Sequence, residues 1–344
     1  MTSSILDEAY ERVRHTGPER NGWLSNHAPM AVEALVHRGH EQAVHRWIDG
    51  YADRLEERPR GIRPIPGDEW RDPLGDPVRT GDWLNYFDRE LAGEPWREVL
   101  VRWWPRLLPG IAAGATHGVI RVGHAMRALL DEETQPRVAE LGQGLAYWAA
   151  RWQPLARPGA GPYPTTDARS ALDAVPRVPD QRSGIRARLA QLADLTQWPS
   201  VAGAVPGNDS DDVPTRLAGI VDAAVVRHGT HGYASPVMLV HAATAPNAVL
   251  RALPALPQTL WAPSLAAAWA ATAAVTAAYA PAEARRAPPA GTDLSLDEVM
   301  RRATDTGDAH AIKFVDAVSD TYTRSGDPAL LAIAAQSVEQ IATD

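Results

Sequence analysis

Asn26-His27-Ala28-Pro29-Met30-Ala31-Val32-Glu33-Ala34-Leu35-Val36 is the stretch from which the fold class can be read. Pro29 suits the first turn of a helix, where its missing N–H costs nothing. Beyond it, apolar side chains recur at Val32, Leu35, Val36, Val44, Trp47 and Ile48. Steps of three and four predict one long helix, or two, over residues 30–55. The same spacing runs through residues 82–91, 96–130 (interrupted near Pro105 and Pro109) and 138–152. It resumes in a helix that Asp211 and Asp212 open and Gly229 closes, and again over 236–253 and the alanine-rich 265–282. Three more helices follow: one from Ser295, with Glu298 at capping-box spacing, then 308–323 and 328–341. Alternating runs of β-branched and aromatic residues are almost missing. The expectation is an all-α fold, a single large multi-helix domain over 1–344. Residues 154–214, rich in Pro, Gly, Ser and Asp with one short helical piece around Ile185 to Leu195, read as a long irregular loop or lid within it rather than as a linker between two helical halves.

Composition narrows the chemistry. The 344 residues carry a formal charge of -8 and no dense basic run, which argues against nucleic acid or an anionic membrane as partner. Residues 265–282 are the best membrane candidate, but alanine and threonine enter lipid weakly, so a buried helix is expected there. The N-terminus turns acidic where a signal peptide needs a basic start, so the expected location is the cytoplasm. With no cysteine, disulfides, thiolate metal sites and thiol nucleophiles are excluded. Any metal must be held by nitrogen and oxygen.

Of 34 basic residues, one is lysine, Lys313, and 33 are arginine. Arginine stays charged, whereas a buried lysine can lose its proton and act as nucleophile, base or carbamate. Lys313 sits in Asp308-Ala309-His310-Ala311-Ile312-Lys313-Phe314, and three residues on a helix put His310 and Lys313 on one face. Two cationic groups gain nothing from each other on a surface. A metal site explains the pair better, with a neutral imidazole and a lysine carbamylated to an anionic oxygen ligand. That carbamate needs a neutral amine, and so a buried one.

The chain has 11 histidines. His15, His37, His40 and His45 read as exposed or helix-terminal. His117 and His124 are seven apart, close to two helical turns, so both face one direction. Gly118 and Gly123 between them would let another backbone or a ligand come near. His241 falls inside an apolar helical run, where an imidazole needs a partner. No phosphate loop, dinucleotide fingerprint, His-Glu-x-x-His or Gly-x-Ser-x-Gly occurs.

Taken in order, Asn26 to Leu35, Thr116-His117-Gly118-Val119-Ile120-Arg121, His241-Ala-Ala-Thr-Ala and His310-Ala-Ile-Lys313 resemble the questin oxidase-like family, from about residue 20 to 320. The resemblance implies oxidative ring opening of aromatic polyketides, with the polyketide and O2 as partners. It also implies Fe(II) held by His27, His117, His241, His310 and a carboxylated Lys313, with His310 and Lys313 closest to the chemistry. His124 is the reserve ligand; His228 and His231 are weaker candidates. Five protein ligands on an octahedral metal leave one position open. Trp103 and Trp104, nearest in sequence to His117 among the 12 tryptophans, are candidate substrate walls. The alternatives are an NADPH-dependent Baeyer–Villiger-type oxygenase, a metal-dependent hydrolase and a non-catalytic binder of polycycles.

Overall fold

The computed structural model describes residues 4–156, 167–204, 212–285 and 293–344. Its internal contacts divide it into two compact units, one of residues 1–154 with 251–257, the other of 155–250 with 258–344. Both are helical, as the spacing predicts.

In the first unit, α1 (Ile5–Val13) leads into β1 (Thr16–Arg20) and β2 (Leu24–Ser25). Asn21 and Gly22, with φ of 52° and 82°, make the tight turn between these strands. The long helix expected over 30–55 is two, α2 (Ala28–His37) and α3 (Glu41–Ala52), parted at Gly39, whose φ is 79°. β3 (Leu55–Glu57) follows and completes a three-stranded antiparallel sheet in the order β2-β1-β3. These strands run two to five residues, too short to print an alternating pattern on the sequence.

Four helices finish the unit: α4 (Thr80–Gly93), α5 (Trp96–Leu107), α6 (His117–Asp131) and α7 (Gln135–Ala150). α6 lies between α2 and α7, and α7 also packs on α4. Gly118 permits the close α6–α7 approach, since a Cβ there would stand 2.8 Å from the Trp148 Cβ and 2.9 Å from its Cα. Trp103 is wholly buried, edge-on to Trp70, Trp83, Tyr86 and Phe87. It is a core residue rather than a substrate wall. Trp104 is also buried and meets Trp148 edge to face at 5.4 Å.

The second unit begins with α8 (Ala168–Asp173), α9 (Ile185–Ala190) and α10 (Trp198–Ala202). α9, with the 3-10 turn over Gln191–Asp194, matches the short helical piece expected there, while α8 and α10 correct the reading of the rest of 154–214 as irregular. Leu172, Val178, Leu189, Leu192 and Trp198 are buried there, so short helices anchor the segment despite its prolines. Residues 157–166 and 205–211 of that stretch, Asp211 included, lie outside the described residues. α11 (Val213–His231), α12 (Pro236–Leu239) and α13 (His241–Ala252) follow, then α14 (Trp261–Tyr279), α15 (Leu296–Asp305), α16 (Ala309–Ser325) and α17 (Ala329–Ala342). Gln258–Tyr279 is long and apolar enough to cross a membrane, yet most of that window is buried. α14 packs on α9, α10, α11 and α12. A helix apolar on every side is what the centre of such a unit needs.

Candidate metal centre

Each unit gathers part of the expected ligand set. In the first, the sheet and two helix starts position His27 and His117. Asn26 donates through Nδ2 to the Gly17 carbonyl on β1, and its backbone N–H donates to the Pro18 carbonyl. Its Oδ1 accepts from the Ala28 N–H, so the residue before His27 is tied both to the sheet and to the start of α2. His27 is the N-cap of α2, and His117 is the first residue of α6. Their Nε2 atoms face each other at 2.7 Å, ring centroids 4.6 Å apart.

The other ring nitrogens explain this orientation. His117 Nδ1 donates to the Gly114 carbonyl at 2.6 Å, and His27 Nδ1 lies 3.3 Å from the Tyr51 hydroxyl. A proton on His117 Nδ1 leaves the lone pair on Nε2. Two such nitrogens aimed at one point require a proton or a cation between them.

In the second unit, His241 opens α13 and His310 is the second residue of α16. Their rings meet edge to face, centroids 5.5 Å apart. His241 Nδ1 donates to the Met238 carbonyl at 3.0 Å. His310 Nδ1 donates to Asp308 Oδ1, also at 3.0 Å, while the same oxygen caps the helix by accepting the His310 N–H at 2.6 Å. Burial, with the charges of Lys313 and His310, pushes His241 well below the ordinary histidine range. Burial would raise the Asp308 carboxyl, but the hydrogen bond and charge of His310 outweigh it and hold it at about 2. Lys313 lies one turn along α16 from His310 and is 1% exposed.

All four histidines stand at helix N-termini, and each has an oxygen on Nδ1. Helix N-termini carry positive potential, which disfavours imidazolium. An oxygen on the second nitrogen is the usual support of a metal-bound histidine. The donor set is nitrogen and oxygen throughout, which fits a first-row metal. Tyr51 and Asp308 were not assigned from the sequence. Asp308 had a signal, its place two residues before His310; Tyr51 had none.

The remaining candidates have other roles. His124 faces Glu33, two turns along from the His27–His117 pair on the same two helices, so α2 and α6 run in one direction. Its Nδ1 donates to Glu33 Oε2 at 2.5 Å, and Arg127 donates to both oxygens of that carboxylate. Burial would raise Glu33, but Arg127 and His124 outweigh it and hold it at about 2; burial pushes His124 down. His124 thus belongs to a buried cluster with Glu33 and Arg127. His228 bonds through both nitrogens, to the Pro236 carbonyl and the Ser337 hydroxyl, and lies against Phe314 at 4.4 Å. Its two bonds make it structural. His231 is half-buried, its Nδ1 2.7 Å from the Thr230 hydroxyl. His15 and His37 are exposed and His45 is partly so; His40 is the N-cap of α3 and is buried.

The chain belongs to the questin oxidase-like family, whose model matches residues 24–318. Membership places it with the oxidases and oxygenases of polyketide pathways, acting on a small-molecule substrate. Among curated proteins, no relative matches the chain.

Proposed function

We propose that this member of the questin oxidase-like family is a non-heme iron oxygenase that cleaves a C–C bond in a quinone or hydroquinone ring of an aromatic polyketide. The observation that carries the reading is the repeated design of the four histidines, each at a helix N-terminus with an oxygen on Nδ1. The ligands of the reading are His27, His117, His241, His310 and a carboxylated Lys313, the set the family resemblance implies. Iron bound there would supply the one-electron chemistry through which dioxygen reacts with a closed-shell ring.

The chain's own residues do the rest. Tyr51, the Gly114 and Met238 carbonyls and Asp308 hold the imidazoles in fixed orientations, so little reorganisation accompanies metal uptake. Burial of the Lys313 amine favours its uncharged form. That form adds carbon dioxide, forming an N–C bond and releasing one proton to give an anionic carbamate. A deprotonated phenol on the substrate would likewise be favoured by the positive ends of the helices.

The test is iron content and oxygen uptake with a hydroxyanthraquinone substrate. Near-stoichiometric iron, activity lost on chelation and restored by Fe(II), and no need for NADPH are the expected results. Full activity in metal-free protein, or turnover that requires NADPH, would sink the proposal. Turnover without oxygen would point to a hydrolase instead.

A further inference from the structure

Thr116, immediately before His117, combines three unfavourable features. Its backbone is left-handed, at φ 69° and ψ 0°, and it follows Gly114 and Ala115 at φ 53° and 58°. A β-branched side chain in that region is a true outlier, at about 1–2 kcal/mol per residue. It occupies the N-cap of α6, where threonine normally accepts a backbone N–H, yet its side chain makes no capping bond. It is 1% exposed, and among the described residues its Oγ1 has no hydrogen-bond partner. An unmet buried hydroxyl costs about 1–3 kcal/mol. Part of the backbone strain is explained, because the turn brings the Gly114 carbonyl onto His117 Nδ1. The hydroxyl is not. An alanine or glycine at 116 would serve that turn without burying a polar group.

We propose that the Thr116 hydroxyl is held for the bound aromatic substrate, donating a hydrogen bond to an oxygen substituent of its ring beside His117. The assignment rests on the function proposed above. Costs of this kind persist where a ligand repays them.

The test compares wild type, Thr116→Val and Thr116→Ser, with valine keeping the shape and the backbone strain while removing only the hydroxyl. Three quantities are measured: thermal stability of the ligand-free protein, Fe(II) uptake, and binding of 1,8-dihydroxyanthraquinone by quenching of tryptophan fluorescence. Thr116→Val is expected to be at least as stable as wild type, to take up iron equally and to bind the anthraquinone about ten-fold more weakly, with Thr116→Ser retaining most of the affinity. A Val variant that binds the ring as wild type does overturns the assignment, as does a wild type that binds iron but not the ring. A Val variant that loses iron assigns the hydroxyl to the metal instead, and one that melts lower without ligand assigns it to a structural water; either result overturns the proposal. Wild-type protein that takes up no iron overturns the underlying reading whatever the variants do.

Discussion

One oxygen of Asp308 carries two jobs that mutation can separate. It accepts the His310 N–H, capping α16, and it accepts the His310 Nδ1 proton, leaving the lone pair on Nε2. Asn is as good a cap as Asp, so Asp308→Asn should change helix stability by only a few tenths of a kcal/mol. What it removes is the negative charge behind His310. A charge-assisted bond is about twice as strong as a neutral one, and loss of such support behind a metal-bound histidine lowers affinity about 10–100-fold. Because Asn still accepts the bond, the lower end is expected, about ten-fold, or about 1.4 kcal/mol. Asp308→Ala loses both functions and should add about 1 kcal/mol of lost capping. Ser295→Ala provides the comparison, since Ser295 caps α15 through the Glu298 N–H at 3.1 Å and bonds no histidine there. It should lower stability as much as Asp308→Ala does and leave iron binding unchanged. Anaerobic Fe(II) titration and melting of the metal-free protein read the two effects apart. Asp308→Asn protein that binds iron as wild type does would refute the reasoning.

Lys313→Arg keeps a cation of similar length but cannot form a carbamate, so it should lose iron, and labelled bicarbonate should mark wild type alone; equal iron in both would remove the carbamate from the mechanism. Gly114→Ala places a Cβ 2.5 Å from the Tyr147 hydroxyl at a φ of 53°, so a loss of about 2 kcal/mol in denaturant unfolding is expected, and an unchanged midpoint would count against the left-handed turn. Burial pushes His228 from the ordinary 6.5 down to about 4. The unfolded chain therefore takes up its proton first, and stability present above pH 6.5 is lost as pH falls to 4, by about 3 kcal/mol. Urea unfolding between pH 7 and 4 should show a shallower decline for His228→Gln than for wild type, and identical slopes would contradict the assignment.

The fold class was legible because helices of ten residues or more repeat a spacing that a single sequence displays. The sheet was not, since β2 and β3 have two and three residues. Within residues 154–214 only the piece holding α9 was legible; α8 and α10 have six and five residues, too few to show a period among prolines. Trp103 misled differently, because closeness in sequence to His117 says nothing about which way a fully buried ring points.

At the site, the pairing of His310 with Lys313 was readable from their spacing, and His117 was readable as the start of a face shared with His124. The partners on Nδ1 were mostly hidden. Two are backbone carbonyls three residues before their histidines, at Gly114 and Met238, and every residue has a carbonyl. The placement of all four histidines at helix starts was partly visible and has the greater physical meaning. A histidine in mid-helix has its local carbonyls committed to the helix ladder, whereas at the first turn the preceding chain can fold its carbonyl or carboxylate onto Nδ1. The same position supplies a potential that disfavours imidazolium. At His117, His241 and His310 the support thus comes from one local device, with the distant Tyr51 hydroxyl taking its place at His27, and this is a stronger signal of metal binding than the histidine count.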